Sequence, residues 1–330
     1  MVMRSWQKAI GSLFLAGILA VPVFSAPAGN MGPAQPGTVN YVEGQASIDS
    51  QPLNQNSVGT AGLQAGQTLA TQNGKAEILL TPGVFLRVNG DTAVRMDSPS
   101  LENTALTVQS GRAMVEAGEI LPANNIVMNE NGASIRLEKK GLYDFDANRG
   151  LVRVFDGELE VTVNNRNYRV TSGHELALNA GDKLKARGFD KKAAQDDFYR
   201  WASLRASYLA EANVDAARTY TRGYGWYGAG WYWDPYFSAY TWIPGDGLFW
   251  SPFGWGFYSP WVVGYAPFYG FGYRGPYFHH FGPGYRAPVA ANRGFAGGFA
   301  GSRVSPGFRG GFSGAIRGGG GFHGGGGGHR

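Results

Sequence analysis

The chain has 330 residues, with 29 lysines and arginines against 24 aspartates and glutamates, and it contains no cysteine. The absence of cysteine excludes a disulfide scaffold, a thiol nucleophile, a cysteine zinc site and a lipoprotein anchor. From Thr219 to the end lie 31 of the 52 glycines and 32 of the aromatic residues, but only one leucine, Leu248. Such a segment lacks the aliphatic side chains of an ordinary core, so we expect its rings to face outward.

The net charge of the chain also changes sign near Thr219. Residues 29–218 hold 19 basic and 22 acidic side chains, a net charge of −3. After Thr219 there are eight arginines and two aspartates, a net charge of +6. The C-terminal part is therefore suited to anionic partners.

Residues 1–28 have the layout of a secretory signal peptide. Two basic residues precede an apolar run over residues 9–23, and small residues follow, which allow cleavage after Ser25 or after Ala28. The 15-residue run is shorter than the roughly 20 residues that a membrane helix needs. We therefore expect a cleaved signal and a periplasmic or extracellular protein that is not an integral membrane protein.

Residues 37–186 show the period-two pattern of short strands. Apolar residues recur at every second position and are separated by Gly, Pro and Asn. Asn131-Gly132 and Asp156-Gly157 lie between alternating apolar runs and predict hairpins or tight turns, because such turns need positive φ. Turns at intervals of about 8 to 12 residues favour a sandwich, a barrel or a stacked β-coil, and the pattern leaves these three open.

The order of glycines and aliphatic residues in this body resembles the FecR domain, a β-helical periplasmic module first known from iron-uptake signal regulators. The matching positions are Gly37, Val39, Val42, Gly44, Ala46, Ile48, Leu63, Gly66, Leu69, Thr71, Gly74, Ala76, Ile78, Leu80, Pro82, Gly83, Leu86, Val88, Val152, Val154, Gly157, Leu159, Val161, Val170, Gly173, His174, Leu176 and Leu178. The resemblance covers 37–186 and implies an all-β fold, a β-helix-like or β-roll-like domain.

The chain departs from the family pattern in two ways. The namesake regulators carry a cytoplasmic sigma-factor-binding segment and a membrane helix before this domain. Here only eight residues precede the apolar run, so we do not expect an anti-sigma role. His174 stands where the family has glutamine, and a lone histidine in a turn is expected to be solvated rather than a ligand.

Residues 190–218 change to helical spacing. Apolar residues recur there at spacings of three and four, with many alanines and no Gly or Pro, which predicts one amphipathic helix: Ala194, Phe198, Trp201, Leu204, Tyr208 and Ala212. Asp190 can cap its start. We expect the aromatic face to cover the open end of the β-domain, because an uncovered sheet edge invites aggregation. The alternative is an interaction helix for a partner.

Residues 219–289 contain a degenerate repeat of the form Gly-x-Gly-aromatic-x-x-Pro. Its three copies begin at Gly254, Gly270 and Gly282. Glycine allows tight backbone turns and aromatic rings offer large stacking faces, so we expect irregular, partly ordered aromatic packing. Residues 290–330 are dominated by Gly, Phe, Arg, Ser and His, a composition that predicts disorder.

No constellation of catalytic residues stands out. Two Gly-x-Gly-x-x-Gly strings, at Gly223 and Gly270, neither follow an apolar strand nor open a helix, so they predict no nucleotide site. Serine hydrolase and zinc protease motifs are absent from the sequence. We expect no enzyme activity, no cofactor and no metal.

The pattern favours a non-enzymatic secreted envelope or surface scaffold, with a FecR-like β-domain and an adhesive tail rich in aromatic residues and arginine. The expected partners are an envelope polysaccharide or another anionic polymer, or a membrane or envelope protein, and not cytoplasmic nucleic acid. The candidate binding residues are Trp226, Trp231, Trp233, Trp242, Trp250, Trp255, Trp261, Arg274 and Arg286. The alternative is a periplasmic signalling module that acts through a membrane protein partner.

Overall fold

Two β-sheets contain all the strands of the predicted β-body. The computed structural model describes residues 31, 33–181, 184–221 and 228–265, so the predicted signal peptide and the segment 290–330 lie outside the described residues. In chain order the strands are β1 (Val39–Glu43), β2 (Ala46–Ile48), β3 (Gln51–Pro52), β4 (Thr68–Thr71), β5 (Lys75–Leu79), β6 (Val84–Val88), β7 (Ala93–Pro99), β8 (Asn103–Ser110), β9 (Arg112–Ala117), β10 (Asn125–Glu130), β11 (Ala133–Leu137), β12 (Gly141–Asp146), β13 (Leu151–Asp156), β14 (Glu158–Val163), β15 (Arg166–Thr171), β16 (His174–Ala177) and β17 (Arg187–Gly188). A short 3₁₀ helix spans Gln55–Ser57.

The chain passes back and forth between the sheets and adds each new strand beside earlier ones. The eight-stranded sheet has the order β1-β5-β6-β9-β12-β13-β16-β17, and the nine-stranded sheet has the order β15-β14-β11-β10-β8-β7-β4-β2-β3. Nearly all neighbours are antiparallel, and β8 pairs with β10 in parallel. Because both sheets grow in chain order, the winding is that of a β-roll. The predicted all-β, β-roll-like class is confirmed.

The core of the β-roll lies between the two sheets. One row of side chains from each strand points inward, as the period-two pattern predicts. The eight-stranded sheet contributes residues such as Ile78, Leu86 and Val115, and the nine-stranded sheet contributes Leu106 and Ile135, all fully buried. A buried aliphatic side chain of this size contributes about 1.5–3 kcal/mol, so the row of core residues supplies the main stabilisation of the roll.

The predicted turns take two different forms. Asn131 and Gly132 both have positive φ, 47° and 78°, and join β10 to β11 as a two-residue hairpin within one sheet. Gly157, with φ of 95°, instead lies at a corner where the chain leaves the eight-stranded sheet after β13 and enters the nine-stranded sheet at β14. A Cβ at Gly157 would lie 2.2 Å from the Tyr143 hydroxyl, so this corner needs glycine for space as well as for φ.

The long helix α1 spans Asp197–Thr221 and begins later than the predicted 190. Asp190 does accept backbone hydrogen bonds, from Lys192 at 2.8 Å and Ala193 at 3.2 Å, but these close only a separate turn. The side chain of Asp196 accepts the backbone N–H of Tyr199 at 3.0 Å and caps the helix itself. Two competing caps therefore divide the segment that the sequence presents as one helix.

Helix α1 covers a face of the β-roll, which corrects the expectation that it covers the open end. Phe198 and Ala202 pack against Met114, Leu142 and Phe155, all of which point outward from the eight-stranded sheet. These outward apolar residues lie on β9, β12 and β13 near the middle of the sheet. The helix lies where outward-facing apolar side chains would otherwise meet water.

Residues 228–265 form a second covering element, which we call the C-terminal layer. It contains β18 (Gly230–Asp234), β19 (Ala239–Ile243), β20 (Leu248–Trp250), β21 (Gly256–Tyr258) and helix α2 (Pro260–Tyr265). Strands β18 and β19 form one antiparallel hairpin, and β20 and β21 form another. The expectation of irregular packing is therefore wrong for this part, whereas the repeat copies at Gly270 and Gly282 lie outside the described residues.

The C-terminal layer acquires an interior by packing on the sheet. Leu79 and Phe85 point outward from β5 and β6 and are fully buried against Trp242 and Phe257 of the layer. The Phe85 ring lies edge-on to Trp231, with ring centroids 4.8 Å apart. Rings from the layer and aliphatic side chains from the sheet thus share one core, which the composition of the layer alone could not provide.

Candidate functional site

A row of buried charges lies between the eight-stranded sheet and the elements that cover it. Glu77, Arg87 and Glu116 come from the neighbouring strands β5, β6 and β9, and all are at most 1% exposed. Arg87 donates from Nε to Glu77 Oε2 at 3.0 Å and from Nη1 to Glu116 Oε2 at 2.6 Å. Its guanidinium also lies 5.5 Å from the ring of Phe85. Arg87 therefore joins two carboxylates on one face of the sheet.

Helix α1 supplies the fourth charge of the row. Arg205 donates from Nη2 to Glu77 Oε1 at 3.0 Å, and its guanidinium lies 4.0 Å from the centre of the Tyr41 ring. Burial alone would raise the pKa of Glu77, but Arg205 and Arg87 hold the pKa of this carboxyl below its ordinary value. Two carboxylates thus face two guanidinium groups, and we name Arg205, Glu77, Arg87 and Glu116 the charge row. A buried row of this kind is tolerable only because each charge is paired.

The charge row is extended by polar groups that hold the C-terminal layer. Asn40 on β1 donates from Nδ2 to Glu77 Oε1 at 3.0 Å and to the carbonyl oxygen of Tyr240 at 2.9 Å. Asn40 Oδ1 accepts the backbone N–H of Tyr240 at 2.7 Å, so a side-chain amide completes the edge of β19. At the other end, the Ser251 hydroxyl donates to Glu116 Oε1. The layer is therefore linked to both carboxylates of the charge row.

Asn213 connects helix α1 to both hairpins of the layer. This fully buried side chain donates from Nδ2 to the carbonyl oxygens of Trp242, at 2.8 Å, and Tyr258, at 3.1 Å. Its Oδ1 accepts the backbone N–H of Tyr258 at 2.8 Å. The Trp255 indole adds a hydrogen bond to the carbonyl oxygen of Ser203 at 3.1 Å. These bonds satisfy strand-edge groups that would otherwise be buried without partners.

Trp242, one of the predicted binding residues, is a core residue. It is 1% exposed, and its ring lies over Gly83 and Gly118, where an added Cβ would approach it to 3.1 and 3.0 Å. Its ring centroid lies 5.6 Å from that of Phe257. The expectation that its face meets a ligand is therefore corrected, because the sheet and the layer enclose the ring from both sides.

The other described tryptophans among the predicted binding residues either pack on neighbouring elements or lie at the surface. Trp231 and Trp233 are half-buried on β18, where Trp231 packs on Phe85. Trp255 is half-buried and bonded to helix α1. Trp250 is half-buried on β20, while Trp261 on α2 is 60% exposed. Trp226, Arg274 and Arg286 lie outside the described residues.

The described part of the chain contains no cluster of three potential metal ligands. Among residues 31, 33–181, 184–221 and 228–265, His, Asp and Glu form no group of three that could hold a metal ion. In the same ranges no helix is both long and apolar enough to cross a bilayer. The charges of the row are paired and enclosed rather than presented to a substrate. The row therefore holds helix α1 and the C-terminal layer in position on the sheet and makes them rigid.

Sequence reasoning missed the charge row, although one signal for it was present. Glu77 and Arg87 occupy outward positions on two strands joined by Pro82-Gly83, and they are directly opposite in the observed register. Alternation alone assigns such positions to solvent, because it reports which residues point away from the core and not what covers them. Asn40 and Asn213 carried no pattern that could identify their partners, which are distant in sequence and include backbone groups of the C-terminal layer.

Comparison with known proteins finds only distant likeness. No family model matches the chain, and a search of curated proteins finds no match either. Two crystal structures of a candidate anti-sigma factor from Parabacteroides distasonis ATCC 8503 are similar to part of it, with TM-scores of 0.33 and 0.34 and identities of 16% and 13%. The matches cover 38% and 39% of this chain and 62% of each of those chains. The likeness is too distant to assign a family, and membership of the FecR family stays a prediction.

Proposed function

We propose that this protein is a secreted, non-catalytic binding scaffold of the bacterial envelope or surface. The FecR-like β-roll and the C-terminal layer form one rigid base, and the exposed rings of the layer together with residues 266–330 bind an envelope polymer. The observation that carries the proposal is the attachment of the layer through Asn40, Asn213 and the hydrogen bond from Ser251 to Glu116 of the charge row. A fixed base reduces the conformational entropy that binding would otherwise cost.

Two exposed rings on the layer fit this role. Tyr236 is 62% exposed at the tip of the β18–β19 hairpin and Trp261 is 60% exposed on α2. The tip is held in place because Asp234 Oδ1 accepts the backbone N–H groups of Tyr236, at 2.8 Å, and Phe237, at 3.0 Å. A stacked ring contributes roughly 1–3 kcal/mol when the partner is a nucleobase, and sugar faces are bound by the same surface chemistry.

The test is a pull-down against cell-wall polysaccharide, lipopolysaccharide and DNA. It compares the full chain, a variant that ends at Tyr265, and Trp261→Ala. The cut is placed after Tyr265 because an earlier cut at Thr219 would remove Trp242 and expose the sheet. Leu204→Ala is the matched control for Trp261→Ala, since Leu204 is also exposed, at 47%, but carries no ring. We expect both the truncation and Trp261→Ala to weaken binding and the control to leave it unchanged.

Equal binding by the full chain and the truncated variant would remove residues 266–330 from the mechanism. The alternative, a periplasmic signalling module, makes a different prediction for the same truncated variant. Cross-linking in cells would then recover one membrane protein with the chain that ends at Tyr265. If the pull-down recovers an envelope polymer and cross-linking recovers no single protein, the binding scaffold is favoured over the signalling module.

A further inference from the structure

Basic side chains are concentrated at the end of the β-roll where the chain leaves it. Residues 166–192 contain seven basic and three acidic side chains, while the rest of 29–218 contains 12 basic and 19 acidic ones. The described basic members are Arg166, Arg169, Lys185, Arg187, Lys191 and Lys192, which we name the basic rim. All six are exposed. A body that is acidic elsewhere thus carries one localised positive surface.

The fold brings the two halves of the basic rim together. Arg166 and Arg169 lie on β15, the edge strand of the nine-stranded sheet, and Arg187 lies on β17, the edge strand of the eight-stranded sheet. Both edges are at the same end of the roll, because both sheets grow in chain order. Lys191 Nζ donates to the Ser172 hydroxyl at 2.9 Å, which places this ammonium beside the turn between β15 and β16.

Four of the six cations of the basic rim form no ion pair in the part of the chain that the structure describes. Arg169 pairs with Glu158, but Lys185, Arg187, Lys191 and Lys192 form no ion pair among the described residues. The two described acids of the segment have other contacts. Glu175 accepts from Arg153 Nε at 2.9 Å, and Asp190 caps the backbone of Lys192 and Ala193. An exposed group of cations with few ion pairs to the described residues is the electrostatic footprint of an anion-binding surface.

A cleft with an aromatic wall lies within the basic rim. It has a volume of about 120 Å³ and is lined by Val163, Asn164, Arg166, Tyr168, Gly181 and Leu184. The half-buried Tyr168 and the exposed Arg166 both line the cleft, two residues apart on β15, and Lys185 follows Leu184 directly. A flat ring flanked by cations can contact a sugar face and its charged substituent together.

We propose that the basic rim binds an acidic polysaccharide, a polymer of carboxylated or sulfated sugars. A lipid surface is disfavoured because none of the large exposed hydrophobic residues of the described chain lies on the rim. This surface is formed by β15, β17 and the segments beside them, and contains no residue of the C-terminal layer.

The test measures retention of the full chain on immobilised polyuronate and heparin as a function of salt. The variant Lys185→Gln/Arg187→Gln/Lys191→Gln/Lys192→Gln removes four charges from the rim. The control removes four exposed charges elsewhere, by Arg95→Gln/Arg136→Gln/Lys140→Gln/Arg149→Gln. We expect the rim variant to bind roughly tenfold more weakly or worse at physiological ionic strength, with a shallower salt dependence, and the control to bind as the wild type does.

Three outcomes overturn the proposal: equal losses in both variants, unchanged retention of the rim variant, or retention of duplex DNA without retention of polyuronate. Tyr168→Leu keeps the apolar packing of the cleft and removes the flat ring, so it should weaken polyuronate binding while thermal unfolding remains near the wild type. Unchanged polyuronate binding by a folded Tyr168→Leu variant would exclude the ring contact. The chain that ends at Tyr265 separates this site from the proposed function, because it should retain polyuronate binding through the rim.

Discussion

Glu130 is a carboxylic acid in the apolar interior of the β-roll. It is the last residue of β10 and points inward on the same face as Ile126 and Met128. Its exposure is 1%, and neither carboxylate oxygen has a hydrogen-bond partner among the described residues. An unpartnered carboxylate is costly in such surroundings, so this position should make the stability of the fold depend on pH.

The structure gives the size and sign of that dependence. Burial, followed by the charges of Asp146 and Asp144, raises the pKa of Glu130 from 4.5 to about 8, although the nearby N–H of Leu151 opposes the shift. A shift of this size corresponds to about 5 kcal/mol, as an upper figure. Because the folded-state pKa is the higher one, the stability is fully present below about pH 4.5. It is lost as the pH rises towards 8, where the folded chain must finally ionise Glu130.

The variant Glu130→Met removes the ionisable group and continues the apolar row of β10. Urea unfolding between about pH 4.5 and pH 9 should show similar free energies for both proteins at the acidic end. The variant should become progressively more stable than the wild type as pH rises, by several kcal/mol at pH 8.5. Taking the difference between the two proteins cancels the titration of other groups. Glu102→Met, at an exposed position, is the control. A difference between wild type and Glu130→Met that does not change with pH would refute the reasoning.

Three substitutions test how the covering elements are held. Arg87→Met should lower the free energy of unfolding by about 3–5 kcal/mol in urea titrations, because it leaves the buried carboxylate of Glu116 without an ion pair and Glu77 with Arg205 alone. A loss below about 1 kcal/mol would contradict this. Asn213→Ala should cost about 2–4 kcal/mol in the same assay, since buried strand groups lose their partners, and an unchanged melting temperature would argue against it. Trp242→Ala should cost about 3–5 kcal/mol by opening a cavity, whereas unaltered stability would show that the ring is not part of the core.

The interior of the β-roll could be predicted from the sequence to a large extent. Alternation identified the inward rows that contain Ile78, Leu86 and Ile135, because a strand that is buried on one face must repeat every second residue. Asn131-Gly132 identified a hairpin because few residue pairs tolerate positive φ twice in succession. The pattern could not tell a hairpin from a corner between sheets at Gly157, because both require the same local backbone.

The covering elements could not be predicted from local pattern. Composition indicated that the C-terminal region lacks aliphatic residues, and from this we expected its tryptophans to face outward. The tryptophans would face outward only if the C-terminal region had to build a core from its own side chains alone. Leu79 and Phe85 on the sheet supply the apolar surface that Trp242 needs, and their outward positions on β5 and β6 looked like ordinary solvent-facing sites. The start of helix α1 was missed for a related reason, since Asp190 and Asp196 are equally good caps in sequence.

The charge row explains how a layer rich in aromatic rings can adopt one fixed position. Stacking and apolar burial are weakly directional, so rings on a broad sheet face could pack in several registers at similar cost. Hydrogen bonds from Asn40 and Asn213 are directional, and each is satisfied at only one position of the layer. Buried ion pairs contribute little net stability compared with apolar packing, but they exclude registers in which a charge would lie unpaired. The effect of Arg87→Met should therefore extend beyond the free energy of unfolding. The near-ultraviolet circular dichroism of the tryptophans should weaken even where the protein remains folded, because Glu116, which accepts a hydrogen bond from Ser251 of the layer, loses its ion pair and holds the layer less firmly.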